Sequence, residues 1–232
     1  MSLEGKNVVV TGASGGMGRI LCKRLKDAGA NLAVCSNDKE GLCTLTSEIG
    51  GAAVASVTDI TDETDVSNFF AEINNKMGAP YCLVNLAGLS IPTNYKEIEE
   101  RDFDTMINVN VKGSMLSSKY FARSADNNAL IINIGSMAAR NTNANAPVYC
   151  IAKAAVNKLS EGLLLQLGKQ GIRVTTVNPG GTDTPFWGER KVDRTKLMSP
   201  KDVADIIYFI MNTPENIQIH SIDFESFAKY NN

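Results

Sequence analysis

The chain has 232 residues, of which 23 are Lys or Arg and 25 are Asp or Glu, for a formal charge of −2. A chain this long buries a full core without disulfide or metal staples, and 44% apolar with 21% charged residues excludes a disordered, collagenous or coiled-coil chain. The faint acidity exerts no electrostatic pull on nucleic acid or an anionic membrane, and no apolar run is long enough to span a bilayer.

The opening stretch MSLEGKNVVVTG has no charged segment followed by a long apolar one, so it does not read as a secretory signal and a cytoplasmic product is expected. Cys22, Cys35, Cys43, Cys82 and Cys150 are odd in number and contain no C-x-x-C pair. That argues against a disulfide framework and a zinc site, so no metal is expected and most of these thiols should be buried. His220 is the single histidine. Nothing nucleophilic surrounds it, and Ser-His-Asp chemistry is not expected.

Along the chain, short β-branched runs alternate with helical patterns, as in a parallel sheet with crossover helices. Residues 6–11, 31–35, 52–58, 81–85, 130–134 and 172–177 read as six strands, and 217–222 as a weaker seventh. The runs are apolar throughout, so both sheet faces should be covered by helices. Val66, Phe69, Phe70, Ile73 and Met77 share one face of a helix. Ser199, Pro200 and Asp202 open another, followed by Val203, Ile206, Ile207 and Ile210. The run 96–102 reads as a solvated helix start. No repeat or linker interrupts the pattern, which predicts a single α/β domain over 1–232, a doubly wound, Rossmann-like parallel sheet of about seven strands. Residues 137–146 and 182–197 read as loops after predicted strands, on the edge where such sheets bind ligands. The second is expected to act as a short substrate lid.

Thr11 to Gly18 (TGASGGMG) lies between the first strand and a helix carrying Ile20, Leu21 and Leu25. Missing β-carbons let backbone amides approach an anion, and the helix amino end adds unpaired N–H groups. The spacing is neither G-x-G-x-x-G nor a Walker loop.

T-G-x-x-x-G-x-G in this setting resembles the short-chain dehydrogenase/reductase family, and the likeness continues down the chain. Asp59-Ile60 corresponds to the family's adenine site after the third strand. Asn85-Leu86-Ala87-Gly88 is similar to its N-N-A-G turn, with Leu86 in place of the second Asn. Asn110 stands in V-N-V-K-G, Ser136 follows the fifth strand, and Tyr149 to Lys153 reproduces Y-x-x-x-K. Asn178-Pro179-Gly180 follows the sixth strand, with Thr182 and with Thr184 where the family contacts the nicotinamide amide. The resemblance implies an NAD(P)-dependent oxidoreductase acting on a small-molecule carbonyl or alcohol. Its catalytic set would be Asn110, Ser136, Tyr149 and Lys153. Its cofactor would lie on Gly12, Ser14, Gly15, Gly16, Met17, Gly18, Ser36, Asn37, Asp59, Ile60, Asn85, Ala87, Gly88, Tyr149, Lys153, Pro179, Gly180, Thr182 and Thr184.

Tyr149 and Lys153 are one helical turn apart, so their side chains share a face. A phenol ordinarily titrates near ~10, and bringing it to neutrality corresponds to ~4 kcal/mol, which an ammonium and an oxidised nicotinamide are expected to supply. Ser136 would hold the substrate oxygen. By resemblance Lys153 also grips the nicotinamide ribose, and Asn110 holds a water linking it to solvent.

The position 20 past Gly16, where an acidic residue would accept a ribose 2′-hydroxyl, is Ser36. NADP(H) is therefore favoured over NAD(H), with Ser36, Asn37 and Lys39 around the phosphate and Asp38 read as a helix cap. Asn37 and Gly15 nonetheless stand where NADP-using relatives often carry basic residues. Met137, Asn143, Phe186 and Trp187 are the substrate candidates. A homodimer or homotetramer is expected, although the ending SIDFESFAKYNN lacks the Gly-Gly segment that packs many relatives into tetramers. The competing reading is a non-catalytic dinucleotide-sensing protein of the same fold.

Overall fold

The computed structural model describes residues 3–230. Strands β1 (Asn7–Thr11), β2 (Asn31–Ser36), β3 (Val54–Val57), β4 (Cys82–Asn85), β5 (Leu130–Ile134), β6 (Arg173–Pro179) and β7 (Ser221–Phe224) form one sheet. Their order is β3-β2-β1-β4-β5-β6-β7, and every neighbouring pair is parallel. The connecting helices are α1 (Gly16–Asp27), α2 (Lys39–Glu48), α3 (Glu63–Met77), α4 (Glu100–Ile107), α5 (Gly113–Ser124), α6 (Pro147–Leu167) and α7 (Pro200–Met211).

Strand periodicity divides the core in two. Val8 and Val10 of β1, with Leu32 and Val34 of β2, pack toward α1, α2 and α7 through Leu21, Leu25, Leu42, Leu45 and Ile207. Val9, Ala33 and Cys35, one residue out of step, pack toward α3 and α5 through Phe69, Phe70, Ile73, Leu116 and Phe121. Alternate side chains of each strand thus feed opposite faces, which is why the runs contain no polar alternation. Helix α7 begins as its sequence predicts: Ser199 Oγ accepts from Lys201 N at 3.2 Å and Asp202 Oδ2 from Ser199 N at 2.9 Å. Four cysteines are buried and Cys43 is exposed.

The seventh strand lies later than expected, at 221–224 rather than 217–222. Side chains explain the shift. Gln218 Nε2 donates to Val174 O, Thr175 Oγ1 to Ile219 O and Arg173 Nη1 to Ile217 O, so residues 217–219 are tethered to β6 by side chains instead of ladder bonds. Residues 137–146 begin with one 3-10 turn, Met137–Ala139, and 182–197 contains two more, Pro185–Trp187 and Arg194–Lys196. The base of the latter loop is closed by a bridge between Thr182 and Met198.

Because the strand order runs outward from β1 to β3 and then returns to β4 beside β1, a crevice opens above the carboxyl ends of β1 and β4. That is the switch point at which doubly wound sheets bind ligands. Asn108–Lys112, between α4 and α5, forms a π-turn, a wide turn found most often at functional sites. Among the described residues, no helix is long and apolar enough to cross a membrane.

Candidate active site

The crevice floor is built by the turn after β1. Gly12 has φ +64, and a β-carbon there would lie 2.6 Å from Ala87 Cα, so only glycine permits this approach of the β1 and β4 turns. Thr11 Oγ1 ties them together by accepting from Leu86 N at 3.2 Å and Ala87 N at 3.3 Å. No side chain caps α1 at Gly15, which leaves first-turn amides for an anion.

A groove of about 330 Å³ runs from this turn past Ser36 and Asn37 to Asp59 and Ile60. Gly12, Ser14, Gly15, Gly16, Met17, Ala87, Gly88 and Thr184 line it as well. Ser36 is buried, its Oγ 2.7 Å from Ser14 Oγ and accepting from Asp38 N at 3.1 Å. Asp38 also borders the groove, with Oδ1 committed to capping α2 through Gly41 N at 3.0 Å.

Three of the expected residues sit beneath this lining. Gly18 is inside α1, packed on the carbonyls of Gly12 and Ala13. Asn85 is turned down into the sheet, where its Nδ2 donates to Asn133 Oδ1 at 2.8 Å and to Ser118 Oγ at 3.1 Å. Its side chain therefore organises the interior below the crevice. Asn110 is fully buried in the π-turn, and its Nδ2 donates to Leu89 O and Met106 O. Its Oδ1 has no hydrogen-bond partner. A β-carbon on Gly88 would lie 2.8 Å from that oxygen and 3.2 Å from Lys153 Nζ, so glycine keeps the Asn110 and Lys153 polar atoms facing one small space.

A second cavity, of about 480 Å³, joins the groove through Met17, Leu86, Gly88, Thr184 and Phe186. Ser136, Tyr149 and Lys153 line it, with Pro179, Gly180 and Thr182 beyond them. Ser136 ends the β5 turn and its Oγ accepts from Ala138 N at 3.1 Å. Lys153 Nζ donates to Ile134 O at 2.8 Å and lies 5.7 Å from the Tyr149 ring centroid. Burial brings this ammonium down from 10.5 to about 8.

Without a nicotinamide beside it, the Tyr149 phenol lies above its ordinary value. Burial pushes it up to about 12, with Cys150 adding to the rise; the Ser136 side chain and the Arg190 charge pull the other way. Loss of water around the hydroxyl is thus the dominant influence on this phenol before a dinucleotide binds.

The four substrate candidates Met137, Asn143, Phe186 and Trp187 all line this second cavity. Phe186 lies 5.8 Å from the Tyr149 ring, and Trp187 is fixed by its Nε1 donating to Thr182 O at 2.8 Å. Cys150 is buried behind the cavity wall, where its Sγ accepts from Asn143 N at 3.2 Å. Arg190, Glu225 and Lys229 line the cavity too, although no sequence motif marks them. Only the return of the chain after β7 brings the last two there.

Fold and cleft together define a doubly wound α/β protein with a ligand crevice at its switch point. The family description short chain dehydrogenase matches residues 6–195, and the chain belongs to the short-chain dehydrogenase family of oxidoreductases. It is 29% identical over 228 residues to an uncharacterised oxidoreductase of Staphylococcus saprophyticus subsp. saprophyticus, covering 96% of this chain and 97% of that one. A short chain dehydrogenase from Burkholderia cenocepacia in complex with NADP matches with a TM-score of 0.91 and 27% identity, over 99% of this chain and 100% of the other. A 3-ketoacyl-(acyl-carrier-protein) reductase from Brucella melitensis complexed with NADH matches with a TM-score of 0.89 and 29% identity, over 97% and 99%.

Proposed function

We propose that the protein is a carbonyl reductase that moves a hydride between NADP(H) and a carbonyl or alcohol substrate, with Tyr149 as general acid and base. The observation that carries this reading is the shared cavity of Ser136, Tyr149 and Lys153, opening directly into the glycine-lined groove.

The groove suits an extended dinucleotide: a cradle that a β-carbon at Gly12 would fill, uncapped amides at α1, and an unpartnered Asn110 Oδ1 beside Lys153. Bound nicotinamide supplies or takes the hydride. Asp59 and Ile60 would border adenine, Ala87 and Gly88 the central ribose, and Lys153 and Tyr149 the nicotinamide ribose. Pro179, Gly180, Thr182 and Thr184 would flank the ring. Ser136 Oγ already accepts from Ala138 N, and its own hydrogen would be shared between the Tyr149 oxygen and the substrate oxygen. Tyr149 O–H gives that oxygen its proton as negative charge develops, and its neutral resting state suits the direction of reduction. Lys153 resupplies the proton, and Asn110 Oδ1 would hold the water that passes it from solvent.

NADP(H) is favoured because Ser36 places no carboxylate where a 2′-phosphate would sit, with Lys39 opening α2 nearby. Asp38, beside Ser36 and Asn37, is an opposing charge there, with Asp59 further along the groove. The test is to incubate the pure protein with NADPH or NADH and a panel of aldehydes and ketones, and to measure both dissociation constants. Turnover and tighter NADPH binding are expected. Tighter NADH binding would reverse the cofactor preference, and tight binding without turnover would favour a dinucleotide sensor.

Exposed Phe103, Met115, Ile151 and Leu165 on α4, α5 and α6 support association of two copies through those helices. Sedimentation should give at least a dimer, and Ile151→Lys should weaken it; a monomeric wild type would remove the proposal.

A further inference from the structure

Three cationic side chains, Lys153, Arg190 and Lys229, line the second cavity, a fourth, Arg194, lies on the same loop as Arg190, and their partners differ. Lys229 is paired with Glu225 at 2.7 Å, and the same carboxylate takes the Tyr230 hydroxyl. Arg194, at the far end of the loop, is paired with Asp183. Lys153 is committed to Ile134 O. Neither Lys153 nor Arg190 has an acidic partner among the described residues, but Lys153 is buried and tied to a carbonyl, whereas Arg190 is half-buried and lines the cavity.

Its posture is fixed. Nε donates to Trp187 O at 2.8 Å, an Nη2 hydrogen goes to Phe186 O, and the guanidinium lies 5.0 Å from the Phe186 ring centroid and 5.2 Å from that of Trp187. Phe186 in turn lies against Tyr149. Among the described residues, the Nη1 hydrogens meet no hydrogen-bond acceptor. A guanidinium held in this way on aromatic faces keeps donors free at little further entropic cost, and a planar carboxylate matches their fork. The neighbouring Glu225 does not cancel this charge, since Lys229 neutralises it. An uncompensated cation one aromatic ring from the acid/base tyrosine is a selective feature for anions.

The geometry points to Arg190 as a specificity-determining residue that anchors a carboxylate on the substrate, so that the preferred carbonyl compound is an oxo acid. This deepens the proposed reductase reading and rests on it. Asn143, on the same cavity wall, offers an amide to the rest of the molecule. The role assigned to Arg190 is recognition; toward the proton transfer it contributes only a distant charge that lowers the Tyr149 phenol.

The test compares short oxo acids, with the keto group at the second, third or fourth carbon, against their own methyl esters, using the full chain and NADPH. Wild type should favour at least one acid over its ester by about tenfold or more in kcat/KM. Raising the salt concentration should erode that ratio. Arg190→Met should raise KM for the acid and lower kcat/KM for the acid by about tenfold more than for the ester, so that the acid preference collapses. Equal use of acids and esters by the wild type, or an equal loss on both in the variant, overturns the assignment. The wild-type ratio and its salt dependence decide the matter even if the variant does not fold. Failure with every acid but turnover of neutral ketones removes the inference and leaves the reductase. No turnover of anything removes both.

Discussion

Tyr149→Phe should bind NADPH as the wild type does and lose roughly a thousandfold in kcat, the scale of removing a positioned general acid. The ring sits beside Phe186 and is largely packed, so the missing oxygen leaves shape and stability nearly intact. The readout is single-turnover oxidation of NADPH beside a binding isotherm. A loss of less than tenfold would show that another group, or water, protonates the substrate oxygen.

Lys153→Met separates catalysis from stability in opposite directions. Turnover should fall by at least a hundredfold, because the variant loses the ammonium that would grip the ribose and resupply the proton. Yet the melting temperature at pH 7 should rise by a few degrees, since a buried ammonium with a single carbonyl partner is costly. The sign follows from linkage. Lys153 goes from 10.5 to about 8 on burial; below 8 both folded and unfolded chains hold the proton, and the cost is present in full. Between 8 and 10.5 the unfolded chain binds a proton that the folded chain does not, so wild-type stability rises with pH through that window. The variant's advantage should therefore shrink toward pH 10. Melting curves at pH 7 and pH 10 check it, and an unchanged or lower melting temperature at pH 7 contradicts the account.

Much of the architecture was readable because it rests on local chemistry. Val8 to Thr11 is apolar on both faces only because helices cover both, and the glycines after it have no helical or strand reason to be there. Ser199 to Asp202 carries its own start signal. The site was legible where one element holds both partners, as with Tyr149 and Lys153 on α6. It was not legible where distant segments meet. The rise of the Tyr149 phenol comes from burial, and Phe186, which packs beside its ring from a distant loop, is invisible to spacing along α6. Asn85 turns inward because Asn133 and Ser118 await it below the turn. Gln218, Thr175 and Arg173 displace the seventh strand through side-chain bonds that hydrophobic periodicity does not register. Glu225 and Lys229 reach the cavity only because β7 delivers the chain end there.

The loop carrying Phe186, Trp187 and Arg190 is closed at its base by the bridge between Thr182 and Met198, where Asp183 N donates to Met198 O at 2.8 Å and Met198 N to Gly181 O at 2.9 Å. With its stem already cinched, most of the entropic cost of joining its ends is met when the protein folds. Any swing of the aromatic and cationic tip over a guest then involves a short pendant arc, while β6 and α7 beneath it keep their registry. Recognition can therefore be retuned by residues in that arc without disturbing the platform on which the chemistry depends.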